Sequence, residues 1–390
     1  MVWCFATDRS GLIQLIDQII LKRILMNQKS ILLAVLLGVG SYSISRAGND
    51  TKRGQGGATE LLINPWARTS GIAGASSGII RGIESMGLNV AGLSSIRKTD
   101  INFCSASYLS GSDIHINSLG FGQKVGDNGV MGLTLSTYDL GSFEETTIDN
   151  PNGTGKTFKP QIFNFGAAYA KRFSDRISGG LLIRGISQSY NSATAFGVAV
   201  DAGIQYQTGK RKEFKFGVSL MNLGSKMQFK GSDFATRGTK QGTSYSQTIG
   251  LLTAGFDMPS MLNIGVGYDF HFDPEEIVLT PCFNFRSNSF TYDQYQVGAQ
   301  ASWREMFILR AGYDYQKGIV NKDESTTANL GPAFGATFQM PFTRNKTGEM
   351  AQSSDTKLED KKSKLFSLDY SYSLTRYFGG THRFSILLSL

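Results

Sequence analysis

The chain has 390 residues, with 46 Gly, 26 Phe and 15 Tyr but only 8 Pro and 3 Cys, and a formal charge of +8 at pH 7. Removing residues 1–47 takes away five Lys/Arg and two Asp/Glu and leaves +5; so mild an excess, with no basic face interleaved with aromatics, is no footprint for nucleic acid. A mean hydropathy of −0.15 excludes a bundle of membrane-spanning helices, yet many large apolar side chains still have to be placed.

From Met26 the chain reads MNQKSILLAVLLGVGSYSISRA, with a charged Lys29, an apolar stretch over 31–40, and small residues at Ser45 and Ala47. This predicts a signal peptide over 26–47, cleaved near Ala47. A transmembrane anchor is the alternative, but the apolar run is about half of the roughly twenty residues a helical span needs. Residues 1–25, carrying Asp17, Lys22 and Arg23, then lie upstream of the signal and read as an extension from a start codon assigned too early. Residues 48–57 are polar and 61–96 are rich in Gly and Ala with weak helical character. The segment 48–97 is therefore expected to supply a plug or lid, with Gly71, Gly74, Gly78, Asn89, Ala91 and Gly92 as plug candidates.

The remainder, 98–390, alternates apolar and polar residues in strand-length runs. Strands are expected at 100–109, 113–125, 129–140, 160–173, 177–190, 196–208, 213–223, 259–272, 276–287, 290–302, 305–315, 329–341, 364–374 and 382–390. In the clearest, Leu262, Ile264, Val266, Tyr268, Phe270 and Phe272 share one face and Asn263, Gly265, Gly267, Asp269 and His271 the other. A period of two belongs to strands, not helices. A soluble sandwich would show the same alternation, but its strands average about five or six residues, whereas a tilted membrane-crossing strand needs about ten. Tyrosines near strand ends (Tyr313, Tyr315, Tyr372, Tyr377) suit headgroup-level girdles. The fold expected is an all-β transmembrane outer-membrane barrel of about 14 antiparallel strands. Phe163, Phe165 and Tyr169 should face outward, with Asn164, Gly166 and Ala168 inward.

Short connections at 126–129, 174–176, 273–275 and 303–305 alternate with long ones at 141–159, 224–258 and 316–328. Such barrels have short periplasmic turns and longer external loops, so the parity puts the N-terminus on the periplasmic side. The Lys-, Asp- and Ser-rich stretch 342–363 departs from this rule. It is either a long periplasmic connection or a sign that the strand count is off by one.

No catalytic constellation emerges. Gly153-Thr-Gly155-Lys156-Thr157 resembles the end of a phosphate-binding loop, but the required first glycine is Asn150 and a strand follows instead of a helix. Gly74-Ala-Ser76-Ser77-Gly78 has the spacing of a nucleophile elbow without a preceding buried strand or a nearby histidine, so close packing explains it better. His115, His271 and His382 fall on separate strands away from metal-ligand spacing, and no metal or cofactor is expected. Cys104 and Cys282, on the first and ninth strands, are expected to be free thiols.

One resemblance emerges from the residues together. Ile83-Glu-Ser-Met-Gly-Leu-Asn89-Val-Ala91-Gly92-Leu93 resembles the segment ending in Asn-Pro-Ala-Gly-Leu that precedes the first strand in the PorV/PorQ family, relatives of the FadL lipid transporters; Val90 replaces the proline. Gly166-Ala-Ala-Tyr169-Ala-Lys-Arg-Phe-Ser-Asp175, Met221-Asn222-Leu223-Gly224, Leu368-Asp369-Tyr370 and Gly380-Thr381-His382-Arg383-Phe384 extend the resemblance over 64–390. It implies a fourteen-stranded barrel with an N-terminal plug, set in outer-membrane lipid. The implied function is non-enzymatic: binding secreted cargo or attachment-complex partners in type IX protein secretion. Loop 224–258 would then supply Phe229, Phe234 and Tyr245 as anchors for the partner. The other function left open is passive transport of hydrophobic small molecules, as the FadL likeness suggests, which would need a continuous apolar cavity.

Overall fold

The computed structural model describes residues 50–147, 149–239, 245–273, 276–321, 325–342 and 364–390. The expected upstream extension and signal peptide lie outside the described residues. Fourteen long antiparallel strands form one closed ring. In chain order they are β1 (Thr99–Tyr108), β2 (Ile114–Val125), β3 (Gly129–Asp139), β4 (Gln161–Arg172), β5 (Ile177–Tyr190), β6 (Ala193–Thr208), β7 (Phe214–Gly224) and β8 (Met261–Tyr268, continued by Phe270–Asp273). They continue as β9 (Ile277–Asn288), β10 (Gln294–Trp303), β11 (Phe307–Gln316), β12 (Asn329–Phe342), β13 (Lys364–Thr375) and β14 (Thr381–Ser389). Each strand pairs with its chain neighbours, and β1 closes the ring on β14 from Asp100 opposite Ser389 to Ser107 opposite His382. Closure leaves no sheet edge, the condition for a strand structure in hydrocarbon.

Alternation sets the two faces as expected. On β4, Phe163, Phe165 and Tyr169 are exposed outward, while Asn164 and Ala168 are buried inside. Rows of aromatic rings run across neighbouring strands near both ends. Phe285, Tyr295 and Tyr315 line up at one end (ring centroids 5.2 and 6.4 Å apart). Trp303, Phe307 and Phe338 do so at the other (5.7 and 5.1 Å). These are the two girdles of a membrane barrel.

The strand count of fourteen stands, and Phe342 of β12 pairs with Lys364 of β13 at the short-turn end. One topological expectation is corrected. Although β1 starts at the short-turn end, the chain has already crossed the interior from the long-loop end. Gly57 N donates to the Asp257 carbonyl (2.9 Å) and Gly54 N to the Phe290 carbonyl (3.2 Å), both in connections of the long-loop end. Residues 54–57 therefore lie at the long-loop end, opposite the end at which β1 starts. A second departure is local: the long strand expected over 259–272 breaks at Asp269, whose side chain turns to Lys215 and Thr280, and the ladder with β9 slips between His271 and Asp273.

Candidate functional site

Residues 58–96 run down the inside of the ring as short 3₁₀ turns (Thr59–Leu62, Ile83–Gly87, Val90–Ser95) and one helical turn (Ala67–Ser70). One segment reaching every side of a closed ring must lie within it. The six residues singled out in this segment share it, each for a separate steric or polar reason. Gly71 meets Gly335 of β12 backbone to backbone: a Cβ on Gly71 would lie 2.8 Å from the Gly335 Cα. A Cβ on Gly78 would lie 2.8 Å from the Gly265 carbonyl oxygen of β8 and 3.3 Å from the Gly217 nitrogen of β7. Gly74 has φ 77° against the Gln296 side chain of β10. Asn89 Nδ2 donates to the carbonyls of Ser77 (2.9 Å), Ile204 (3.1 Å) and Val218 (3.4 Å), and its Oδ1 accepts from Ala91 N (3.2 Å). Ala91 is fully buried, and the Gly92 carbonyl accepts from Gly82 N (3.1 Å).

The remaining strands are reached by side chains. Ile83 and Trp66 lie over Gly120 of β2, and Met86 and Leu93 over Gly132 of β3. Val90 and Leu93 cluster with Ala168 and Ala170 of β4, and the Val90 carbonyl abuts Gly180 of β5. Asn89 abuts Gly203 of β6, and Ile72 covers Gly298 of β10 and Gly312 of β11. Cys104 Sγ of β1 donates to the Pro65 carbonyl (3.1 Å), Ser77 bonds Asn284 of β9, and Arg383 of β14 donates to the Asn64 carbonyl (3.2 Å). On β13, Asp369 takes an ion pair from Arg68 (2.8 Å). Every strand thus touches the luminal segment. The inward glycines make room for it: backbone meets backbone at Gly335, Gly217 and Gly180, and luminal side chains fill the space over Gly120, Gly132 and Gly203.

The polar interior is organised in pairs. Arg68 bridges to Ser367 and Asp369, and Asp369 also accepts from Thr337. Arg184 of β5 pairs with Asp201 of β6 (2.7 Å) and reaches the Met86 carbonyl of the luminal segment (3.3 Å). Glu84 of the luminal segment accepts from Thr69 N (3.3 Å) and from Asn102 (3.5 Å).

At the long-loop end two of the three aromatic residues proposed as anchors come together. Phe229 packs against Tyr190 (5.4 Å) and Phe256 (5.6 Å), and with Phe234 these rings line a cleft of about 540 Å³. Tyr245 stands apart from the cleft and exposed. Glu60 lies at the cleft with its carboxylate bonded to Gln188 (2.7 Å), and burial raises its pKa. Above this level the connection 225–260 carries a two-stranded hairpin, Ala235–Thr239 with Ser246–Gly250. The loop 140–160 forms a smaller one from Phe143–Glu144 and Thr157–Phe158, so the segment likened to a phosphate loop is part of a hairpin rather than a strand-to-helix turn.

The family model of the type IX secretion system membrane protein PorP/SprF matches residues 94–386, from the end of the luminal segment into the last strand. The chain belongs to the PorP/SprF family. The expectation of a type IX secretion barrel of the outer membrane is therefore met, but the family matched is PorP/SprF and not the expected PorV/PorQ. Among solved structures, the chain resembles the Pseudomonas putida toluene transporter TodX, with 12% identity over 84% of this chain and 97% of that one and a TM-score of 0.48. It also resembles a Pseudomonas aeruginosa FadL homologue, with 10% identity over 82% and 97% and a TM-score of 0.45. No curated protein matches the sequence.

Some site residues of this PorP/SprF barrel escape sequence reasoning. Trp66, Glu60 and Phe256 carry no periodic signal because they lie outside regular strands. Arg184, Asp201, Arg310 and Asp369 did carry one: each is a charge at an inward position of an alternating strand, where only a lumen can hold it.

Proposed function

We propose that this PorP/SprF barrel is a non-enzymatic docking protein of type IX secretion. Its long external loops hold a secreted protein or an attachment partner, while residues 58–96 plug the lumen. The observation that carries the reading is the contact of the luminal segment with every strand, which leaves the external face as the surface free to engage a folded partner. The cleft of Phe229, Phe234 and Phe256 gives that face an aromatic anchor site beside the 235–250 hairpin. Passive uptake of hydrophobic molecules, the other reading, needs an apolar route. In the larger external-end cavity three arginines, an aspartate and many amide and hydroxyl side chains interrupt the apolar lining.

The test is deletion of 233–252. Met227, which is wholly buried, packs with Phe229, Met258 and Phe256 on Ile186, Ala195 and Ala199, so a cut starting earlier would leave a void on the inner face of the barrel. The deletion should leave a heat-modifiable barrel that no longer co-purifies with secreted proteins. If it keeps every protein partner, while substitutions at Gly71 and Gly78 alter uptake of a fatty acid or an aromatic compound, transport is the function.

A further inference from the structure

A cavity of about 570 Å³ opens at the external end between the luminal segment and the upper parts of β9–β14. This is the size of a small-molecule site, and like such sites it combines an apolar lining with a set of convergent polar and charged groups. Its walls carry three arginines, Arg53, Arg286 and Arg383, against a single carboxylate, Asp314, and about half of the rest are amide and hydroxyl side chains.

Two of the arginines are held in a particular way. Arg286 Nε donates to Asn263 Oδ1 (2.8 Å) and its Nη1 to Gln294 Oε1 (3.3 Å). Arg383 Nε donates to the Asn64 carbonyl (3.2 Å) and its Nη1 to Ser373 Oγ (3.2 Å). Neutral acceptors thus fix the inner side of each guanidinium, and its outer nitrogen, Nη2, has no acceptor among the described residues. Neither arginine has a carboxylate within ion-pair distance among those residues. Arg68 and Arg184, deeper in the lumen, are each paired with an aspartate.

Asp314 offsets only Arg286, to which Gln294 links it by bonding both (Gln294 Nε2 to Asp314 Oδ2, 2.9 Å), so the cavity keeps an excess of positive charge; a guanidinium pre-oriented by neutral partners is matched to a planar or tetrahedral oxyanion. The amide and hydroxyl side chains interspersed in the lining add a requirement that a simple aliphatic acid does not meet: the rest of the ligand must offer hydrogen-bonding groups as well as apolar faces. Tyr292, which lies under Arg53 at 4.3 Å, and Tyr108 offer ring faces at the same cavity. We propose that the cavity binds an acidic sugar. Its carboxylate or phosphate is received by Arg286 and Arg383, and its hydroxyls are received by the surrounding amides. The site is independent of the docking role, because none of its lining comes from 233–252.

The experiment is calorimetric titration of the full chain in detergent at low salt with four probes: glucuronic acid, glucose 6-phosphate, glucose and inorganic phosphate. At least one acidic sugar should bind about tenfold more tightly than both glucose and phosphate, and which of the two does so identifies the anionic group. Arg286→Gln and Arg383→Gln should each weaken that binding about tenfold while the barrel remains heat-modifiable. Should either fail to fold, Ser373→Glu places a carboxylate beside Arg383 and should weaken binding likewise. The deletion of 233–252 should leave the affinity unchanged, which separates this site from the partner-binding surface. The proposal is overturned if neither acidic sugar binds, if phosphate alone binds as well as they do, or if the folded variants bind like the parent chain.

Discussion

Truncating Trp66 to alanine should destabilise the barrel by about 3–5 kcal/mol, the range for removing a fully buried tryptophan. The indole is 2% exposed and belongs to the cluster of Ile83, Met86, Val90, Leu93 and Ile96 that joins the luminal segment to β1–β5. Its surroundings cannot collapse into the void. The wall beneath it is Gly120, whose Cβ, if present, would sit 3.2 Å from the ring, and on another side the ring abuts Gly87. Glycines have no side chain to swing inward, and β-sheet backbone closed in a ring moves little, so the cavity persists and the cost stays near the top of the range. Chemical denaturation in detergent should register the loss, and protease should cut within 58–96 while the strands remain protected. Trp66→Phe, which keeps most of the volume, should recover much of the stability. A change below about 1 kcal/mol for the alanine variant would mean that the luminal segment is not anchored there.

The strands were legible because their burial is decided locally. A strand with hydrocarbon on one side and a polar lumen on the other writes a period of two into the sequence whatever its partner is. Expected limits of 129–140 and 177–190 meet β3 (Gly129–Asp139) and β5 (Ile177–Tyr190) almost residue for residue. The largest errors are a start at 290 against Gln294 for β10 and one at 196 against Ala193 for β6, the second from a tight reversal at Asn191 (φ 54°) that reads as a longer polar loop. The luminal segment was legible only as a composition. Its Gly and Ala content signals close approach, but Gly78 is fixed by Gly217 and Gly265, and Arg68 by Asp369, partners from distant strands. No local period encodes such pairs. The direction of the segment was missed for the same reason: the bonds from Gly54 and Gly57 to the Phe290 and Asp257 carbonyls are made by backbone, to which side-chain patterns are blind. The aromatic cleft was half legible. Phe229 and Phe234 stood out as large apolar residues in a polar loop, while Tyr190 and Phe256, which complete it, lie at a strand end and a loop end.

The outward face gives the second large effect. Phe165 sits near the middle of β4, 51% exposed on the lipid side, between Leu135 of β3 and Gly185 of β5. Arginine there must leave its guanidinium in hydrocarbon or bend its stem toward the headgroups, at a cost of about 2–4 kcal/mol near the midplane. Phe165→Leu keeps the site apolar and should stay below about 1.5 kcal/mol, so the difference between the two reports charge and not ring packing. Position sets the size of the penalty. Ile177 lies at the short-turn limit of β5 and is also outward, and arginine there should cost only about 0–1 kcal/mol, because the headgroup region can solvate it. Refolding into lipid vesicles with denaturant titration would rank the variants. Equal penalties at 165 and 177 would contradict the placement of β4 across the hydrocarbon layer, because a soluble strand packed against another sheet has no depth for the cost to follow.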